Sequence, residues 1–203
     1  DPKDAPIVEF CARENVPCFR GDENDVLDRY YQAALAAKPD VIVRLTSDCP
    51  LIDPKVIDAV VEAHRAAGDD YTANTVPPVG TYPDGMDVEV FSFAVLERAW
   101  KEARLPSERE HVTFYFWKTD FFKTSRVDLT ESLSSFRLTV DYPEDLAVVK
   151  AVLEALHPKD PLFTMRQIID FLDAHPAVRK LNAAIGWNQG WKPALEKDRQ
   201  TQE

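Results

Sequence analysis

Glycine is scarce in this chain, with 6 residues in 203 against 15 prolines. No phosphate-cradling Gly-rich loop can be assembled from so few, which excludes a P-loop or dinucleotide fingerprint within this sequence. Any phosphate is left to Arg, Lys or a metal. Cysteine is sparser still. Cys11, Cys18 and Cys49 leave one thiol over, show no C-x-x-C spacing and stand among apolar neighbours, so reduced, packed thiols are expected and a zinc site is not. Positive charge is also short: 24 Lys+Arg against 35 Asp+Glu give a net charge of −11. No run of Lys or Arg reverses that field, which excludes nucleic acid and anionic membranes as partners. No apolar run approaches the roughly 20 residues of a membrane helix and no signal-like leader is seen, so a cytoplasmic protein is expected. No Ser/His/Asp order or Cys/His pair suggests a covalent nucleophile. What is present, 45% hydrophobic and 29% charged residues, suffices for a folded domain with its own core.

Apolar spacing of three and four predicts a first helix at Ile7, Phe10 and Cys11, followed by a short strand at Val16 to Phe19. A second helix carries Val26, Leu27, Tyr30, Tyr31, Ala34 and Leu35, with Asn24 or Asp25 as cap, and ends near Lys38-Pro39. Val41 to Thr46 reads as a buried strand, and Asp53-Pro54 as a cap opening a helix with Val56, Ile57, Val60, Val61 and His64 inward. Strands at 71–74 and 88–91 flank a Pro/Gly-rich loop at 77–85. Helices follow at 94–103 and within 109–117, then a strand at 136–140 and a helix from Pro143 with Leu146, Val149, Val152, Leu153 and Leu156 inward. A further helix is capped at Thr164. This alternation predicts an α/β class protein, a doubly wound and mostly parallel sheet in one domain over 1–175, with 176–203 as a polar C-terminal tail. The aromatic cluster at Phe114 to Trp117 and Phe121-Phe122 reads equally as core or as the contact of a homodimer.

In open α/β sheets ligands collect beyond the carboxyl ends of strands. Asp48 follows the strand 41–46 and Asp141 follows the strand 136–140. If those strands are neighbours, the two carboxylates meet and suit magnesium, which is usually held by one or two carboxylates plus water and phosphate oxygens. Each Asp alone reads equally as a turn or cap residue. Asp87 and Glu89, two apart on a strand, share a face able to bind sugar hydroxyls or a metal, or simply to face water. Arg109-Glu110-His111 reads either as a substrate contact or as a salt-bridged surface helix. Arg20, Arg29 and Arg44 are the candidate phosphate cations.

Six ordered motifs, Phe19-Arg20-Gly21, Asp25 to Tyr30, Asp40 to Pro54, Tyr82 to Phe91, Arg109 to Thr113 and Arg137 to Leu146, closely resemble the spore-coat polysaccharide biosynthesis protein F group of cytidylyltransferases. That group is related to the acylneuraminate and 3-deoxy-manno-octulosonate cytidylyltransferases, and a weaker echo follows at Asn182 and 187–190. The resemblance implies a nucleotide-diphosphosugar-transferase (GT-A-like) fold. It also implies transfer of CMP from CTP to an acidic sugar for surface polysaccharide, with release of pyrophosphate. Asp48 and Asp141 would be the magnesium ligands, Arg20 and Arg29 would touch nucleotide, and Asp87, Glu89, Arg109 and His111 would line the sugar side. The family's opening strand and nucleotide loop are absent from this sequence, which begins Asp1-Pro2-Lys3-Asp4 without methionine; the expectation is an upstream segment that carries them. Two other readings stand beside this one. The chain could serve as a non-catalytic nucleotide- or sugar-binding subunit. Alternatively it is a metal-dependent GT-A glycosyltransferase, with Asp87-Val88-Glu89 as its metal motif.

Overall fold

The structure is a computed structural model that describes residues 2–77, 80–187 and 189–201. Pro78 and Val79 of the predicted loop, and Asn188 of the C-terminal motif, lie outside the described residues. Along the chain, α1 (Ala5–Arg13) and α2 (Val26–Ala37) precede β1 (Val41–Arg44), α3 (Pro54–Ala67), β2 (Tyr71–Ala73) and β3 (Glu89–Ser92). Then come α4 (Phe93–Glu102), α5 (Pro106–Glu110), α6 (Phe114–Lys118), β4 (Thr124–Arg126), α7 (Pro143–Leu156), α8 (Met165–Ala174), α9 (Pro176–Arg179) and α10 (Lys192–Thr201). These divide into two compact units. One holds residues 41–92 and 120–189, the other residues 1–40, 93–119 and 190–203.

The first unit contains the sheet, ordered β1-β3-β2-β4. β3 runs antiparallel to both β1 and β2, and β2 pairs in parallel with β4. The α/β class holds, but the sheet is mixed where a mostly parallel one was expected. Hydrophobic pattern records which residues are inward and says nothing of strand direction, and the chain between β2 and β3 contains no crossover helix among its described residues. β1 lies at an edge and is half-buried, where its run of Val and Ile predicted a buried strand. Residues 136–140 join the sheet region by one isolated parallel bridge, Asp84 to Arg137, rather than as a full strand. The core of this unit gathers Val56 and Val60 of α3, Val88 and Val90 around β3, Phe136 and Leu138, Val148, Val149 and Val152 of α7, and Ile168, Ile169 and Leu172 of α8. Leu146, expected inward, is 56% exposed; the buried stripe of α7 is rotated to Val148.

Local chemistry explains the helix starts. The Asp53 carboxylate accepts the Lys55 N–H at 2.8 Å through one oxygen and the Met165 N–H at 2.7 Å through the other, so one side chain caps α3 and tethers the start of α8. Thr164 and Gln167 form the predicted reciprocal box, with the Thr164 N–H reaching Gln167 Oε1 at 2.7 Å.

In the second unit, Tyr31 of α2 stacks on Trp100 of α4 with centroids 4.0 Å apart, and Trp100 Nε1 donates to Asp28 at 2.7 Å. No strand forms at residues 16–19, which have no extended partner among the described residues. The single helix expected within 109–117 is two, α5 and α6, broken where Val112 adopts φ +60°. Phe114, Tyr115 and Phe116 are buried, while Phe121, in the other unit, is 56% exposed. Part of the polar tail is helical: Asp198 of α10 is buried and accepts the Ser107 N–H at 2.8 Å and its hydroxyl at 2.5 Å. One well-placed carboxylate docks a helix whose composition is otherwise that of a solvated segment.

Candidate active site

The turns that carry Asp48 and Asp141 are joined through the backbone. The Val140 N–H donates to the Asp48 carbonyl at 2.8 Å, and the Thr139 hydroxyl donates to the same oxygen at 3.1 Å. The end of the 136–140 segment is thereby clamped to the turn that follows β1, although the two segments pair nowhere else as strands.

Around Asp48, the Cys49 thiol lies 3.5 Å from Asp48 Oδ1 and 3.6 Å from Asp87 Oδ2, so two acids flank one sulfur. Burial, with the charge of Asp87 next, pushes the Cys49 thiol well above its ordinary range, and it stays protonated. Asp87 is itself raised by burial, against which the Gly85 N–H at 2.8 Å works. Glu89, buried in β3, is closed off: Arg44, its partner in the β1 register, pairs with it, and the Tyr71 hydroxyl donates to its other oxygen at 2.6 Å. Of the predicted acidic pair, Asp87 sits beside Asp48 and Glu89 is engaged within the sheet.

Around Asp141, the organising group is Arg137, whose side chain is only 7% exposed. Its guanidinium donates to Asp84 Oδ2 at 2.7 Å, to Asp141 Oδ2 at 2.5 Å, and to both oxygens of Asp145 at 2.9 and 3.0 Å. Asp145, fully buried, also accepts the N–H groups of Asp141 and Tyr142, each at 3.1 Å, and the Asn182 amide at 2.8 Å. Burial and the nearby charge of Asp87 raise Asp84 to about 7 despite its bond to Arg137. Sequence reasoning assigns no site role to Asp84, Cys49, Arg137, Asp145 or Asn182, although all five lie in its motifs. The available signal is the spacing of acids about an Arg in Arg137 to Asp145, a stretch that along the chain reads as strand and cap.

Gly85 makes this proximity feasible. It sits at φ +97°, and a Cβ there would lie 2.5 Å from the backbone of Leu138 and Thr139.

The remaining predicted residues lie in the other unit. Arg29 donates to the carbonyls of Asp22 and, at 2.8 Å, Glu23. Arg20 is exposed. The Arg109 guanidinium grips Asp25, the cap of α2, and donates to the Trp100 carbonyl at 2.9 Å. His111 closes α5 and stacks on Phe114 at 4.7 Å.

Among the described residues no three His, Cys, Asp or Glu side chains are arranged to hold a metal by themselves. Two hard carboxylates on adjoining turns, each with at least one oxygen not committed to the fold, nevertheless suit magnesium when phosphate oxygens and water complete its shell. No helix among the described residues is long and apolar enough to cross a membrane.

A cytidylyltransferase family model matches residues 3–161. The chain belongs to the cytidylyltransferase family. As a cytidylyltransferase relative it is a nucleotidyltransferase by family. It is 39% identical over 189 residues to an uncharacterized protein of Methanocaldococcus jannaschii, covering 90% of this chain and 74% of that one. It is 29% identical over 173 residues to the spore coat polysaccharide biosynthesis protein SpsF of Bacillus subtilis, covering 84% of this chain and 70% of SpsF. The solved structure of a cytidylyltransferase from Leptospira borgpetersenii serovar Hardjo-bovis matches with a TM-score of 0.80 at 32% identity, covering 87% of this chain and 74% of that one. The mixed α/β architecture is therefore that of a nucleotidyltransferase-like fold.

Proposed function

We propose that this cytidylyltransferase moves CMP from CTP to a hydroxyl of an acidic sugar, releasing pyrophosphate, in the cytoplasmic assembly of surface polysaccharide, with magnesium held by Asp48 and Asp141. The observation that carries the reading is the 2.8 Å bond from the Val140 N–H to the Asp48 carbonyl, which makes neighbours of two acidic turns far apart in sequence. The name of the Bacillus relative supports a polysaccharide pathway.

In this reading the sugar hydroxyl forms a new bond to the α-phosphorus as the bond to pyrophosphate breaks, and the hydroxyl proton passes to solvent. The chain contributes position and charge; no covalent intermediate is needed. Asp48 and Asp141 are the residues that would hold the metal, and Asp87, its oxygen anchored to Gly85, shares the Cys49 thiol with Asp48. Magnesium, when bound, supplies charge neutralisation at the transferring phosphoryl group.

The test is pyrophosphate release by the full-length chain with CTP, magnesium and a panel of sugar acids against neutral sugars. Release with a sugar acid, lost in Asp48→Asn and Asp141→Asn, is expected. Release with neutral sugars only, or undiminished activity in Asp48→Asn, would overturn the reading.

A further inference from the structure

We propose that Arg137 is a positioning residue for Asp141: a guanidinium locked from behind by Asp84 and by Asp145, which Asn182 braces, holds one oxygen of the Asp141 carboxylate and leaves the other for a cation. This rests on the reading of Asp141 as a metal ligand.

Asp141 stands on an exposed turn with its side chain 46% exposed, where an aspartate samples several rotamers. Its partner has no such freedom. Three of the four hydrogen bonds made by the Arg137 side chain go to groups other than Asp141, and two of them form a fork on the fully buried Asp145. Asn182, 3% exposed, donates to the Arg137 carbonyl at 3.0 Å and to Asp145 at 2.8 Å, tying the backbone and the fork into one body. The guanidinium thus presents Nη2 to Asp141 at 2.5 Å from a fixed direction. Among the described residues no hydrogen bond reaches Asp141 Oδ1.

A structural explanation leaves this bond over. The start of α7 is already served by Asp145, which accepts the N–H groups of Asp141 and Tyr142 without help from the Asp141 carboxylate. Charge alone also argues the other way, since a guanidinium beside a metal ligand repels a divalent cation. If Arg137 acted only as a charge, weakening it would tighten metal binding; if it positions Asp141, disrupting its fork weakens metal binding.

The experiment measures Mn2+ alone binding to the full-length protein by electron paramagnetic resonance, with a thermal melt of each variant. Asp141→Asn should lose the site; if it binds Mn2+ as tightly as the wild type, the metal reading falls and the positioning role with it. Given that loss, Arg137→Lys keeps the charge but not the fork and should weaken Mn2+ binding by about tenfold, as lost outer-layer support commonly does. Unchanged or tighter binding in a folded Arg137→Lys protein would sink the positioning role while leaving Asp141 as a ligand. Should the lysine variant not fold, Asn182→Ala decides: it retains the guanidinium, and weakened binding with an intact melt supports the proposal, whereas wild-type affinity overturns it.

Discussion

Replacing Gly85 with alanine tests the geometry on which the site depends. Two costs combine there. The backbone is held at φ +97°, a region that costs a residue with a Cβ about 1–2 kcal/mol. The new methyl would also meet the Leu138 carbonyl carbon and the Thr139 nitrogen at 2.5 Å and the Leu138 carbonyl oxygen at 2.9 Å. All three are backbone atoms, so no side-chain rotation relieves the clash. Leu138 is fully buried and its N–H donates to the Asp84 carbonyl at 2.7 Å, which opposes retreat of that segment. Overpacking of this kind costs about 1–3 kcal/mol, so Gly85→Ala should lose about 2–5 kcal/mol in all. In a protein of this size that lowers Tm by roughly 5–15 °C. Gly68 is the control. It closes α3 at φ +60° and a Cβ there would meet nothing within 4 Å, so Gly68→Ala should cost only the backbone part, about 1–2 kcal/mol. Urea unfolding followed by circular dichroism measures both, and hydrogen exchange at the Leu138 and Asp84 amides reports the loosened bridge directly. If Gly85→Ala costs no more than Gly68→Ala, the contact between the two segments is not tight and the reasoning fails.

Three further outcomes are expected. Asp145→Ala strips a buried carboxylate from Arg137, Asn182 and two backbone N–H groups, and should cost about 3–5 kcal/mol in urea unfolding; a loss below about 1 kcal/mol would contradict the network. His64, buried in α3 with Nδ1 3.1 Å from the Thr72 hydroxyl, has its pKa lowered, chiefly by burial. The native state therefore binds fewer protons than the unfolded chain, and stability present at pH 7 is lost as pH falls below about 6.5. Comparing Tm against pH for wild type and His64→Gln isolates this: the wild type should lose more between pH 7 and 5.5, and parallel curves would contradict it. Finally, a thiol reagent at pH 7.5 should label exposed Cys18 quickly and buried Cys49 only on unfolding, as peptide mapping will show; rapid native labelling of Cys49 would count against its burial beside Asp87.

That last prediction departs from the sequence expectation of packed thiols throughout, because a short apolar run such as Val16 to Phe19 forms a strand only where a partner strand is within reach. Elsewhere local chemistry was legible: Asp25 and Asp53 as caps, the box at Thr164, and the helical stripes of α2 and α3 depend on contacts a few residues apart. The motif order that placed the chain among the cytidylyltransferases was equally legible, since it too is read along the chain.

What the sequence by itself determined was the capped starts of α2, α3 and α8, which residue types are available for phosphate chemistry, and that Asp48 and Asp141 each follow a strand-like run. Only the tertiary structure decided that the sheet is mixed, that Glu89 is closed by Arg44 and Tyr71, and that the turns carrying Asp48 and Asp141 are joined by a backbone hydrogen bond. It also decided that Arg137 stands at the centre of three carboxylates. The reason is range: caps and periodicity are set by neighbours along the chain. Strand direction and the pairing of buried charges are set by which distant segments share a low-dielectric interior, and there each charge must find its partner or stay neutral.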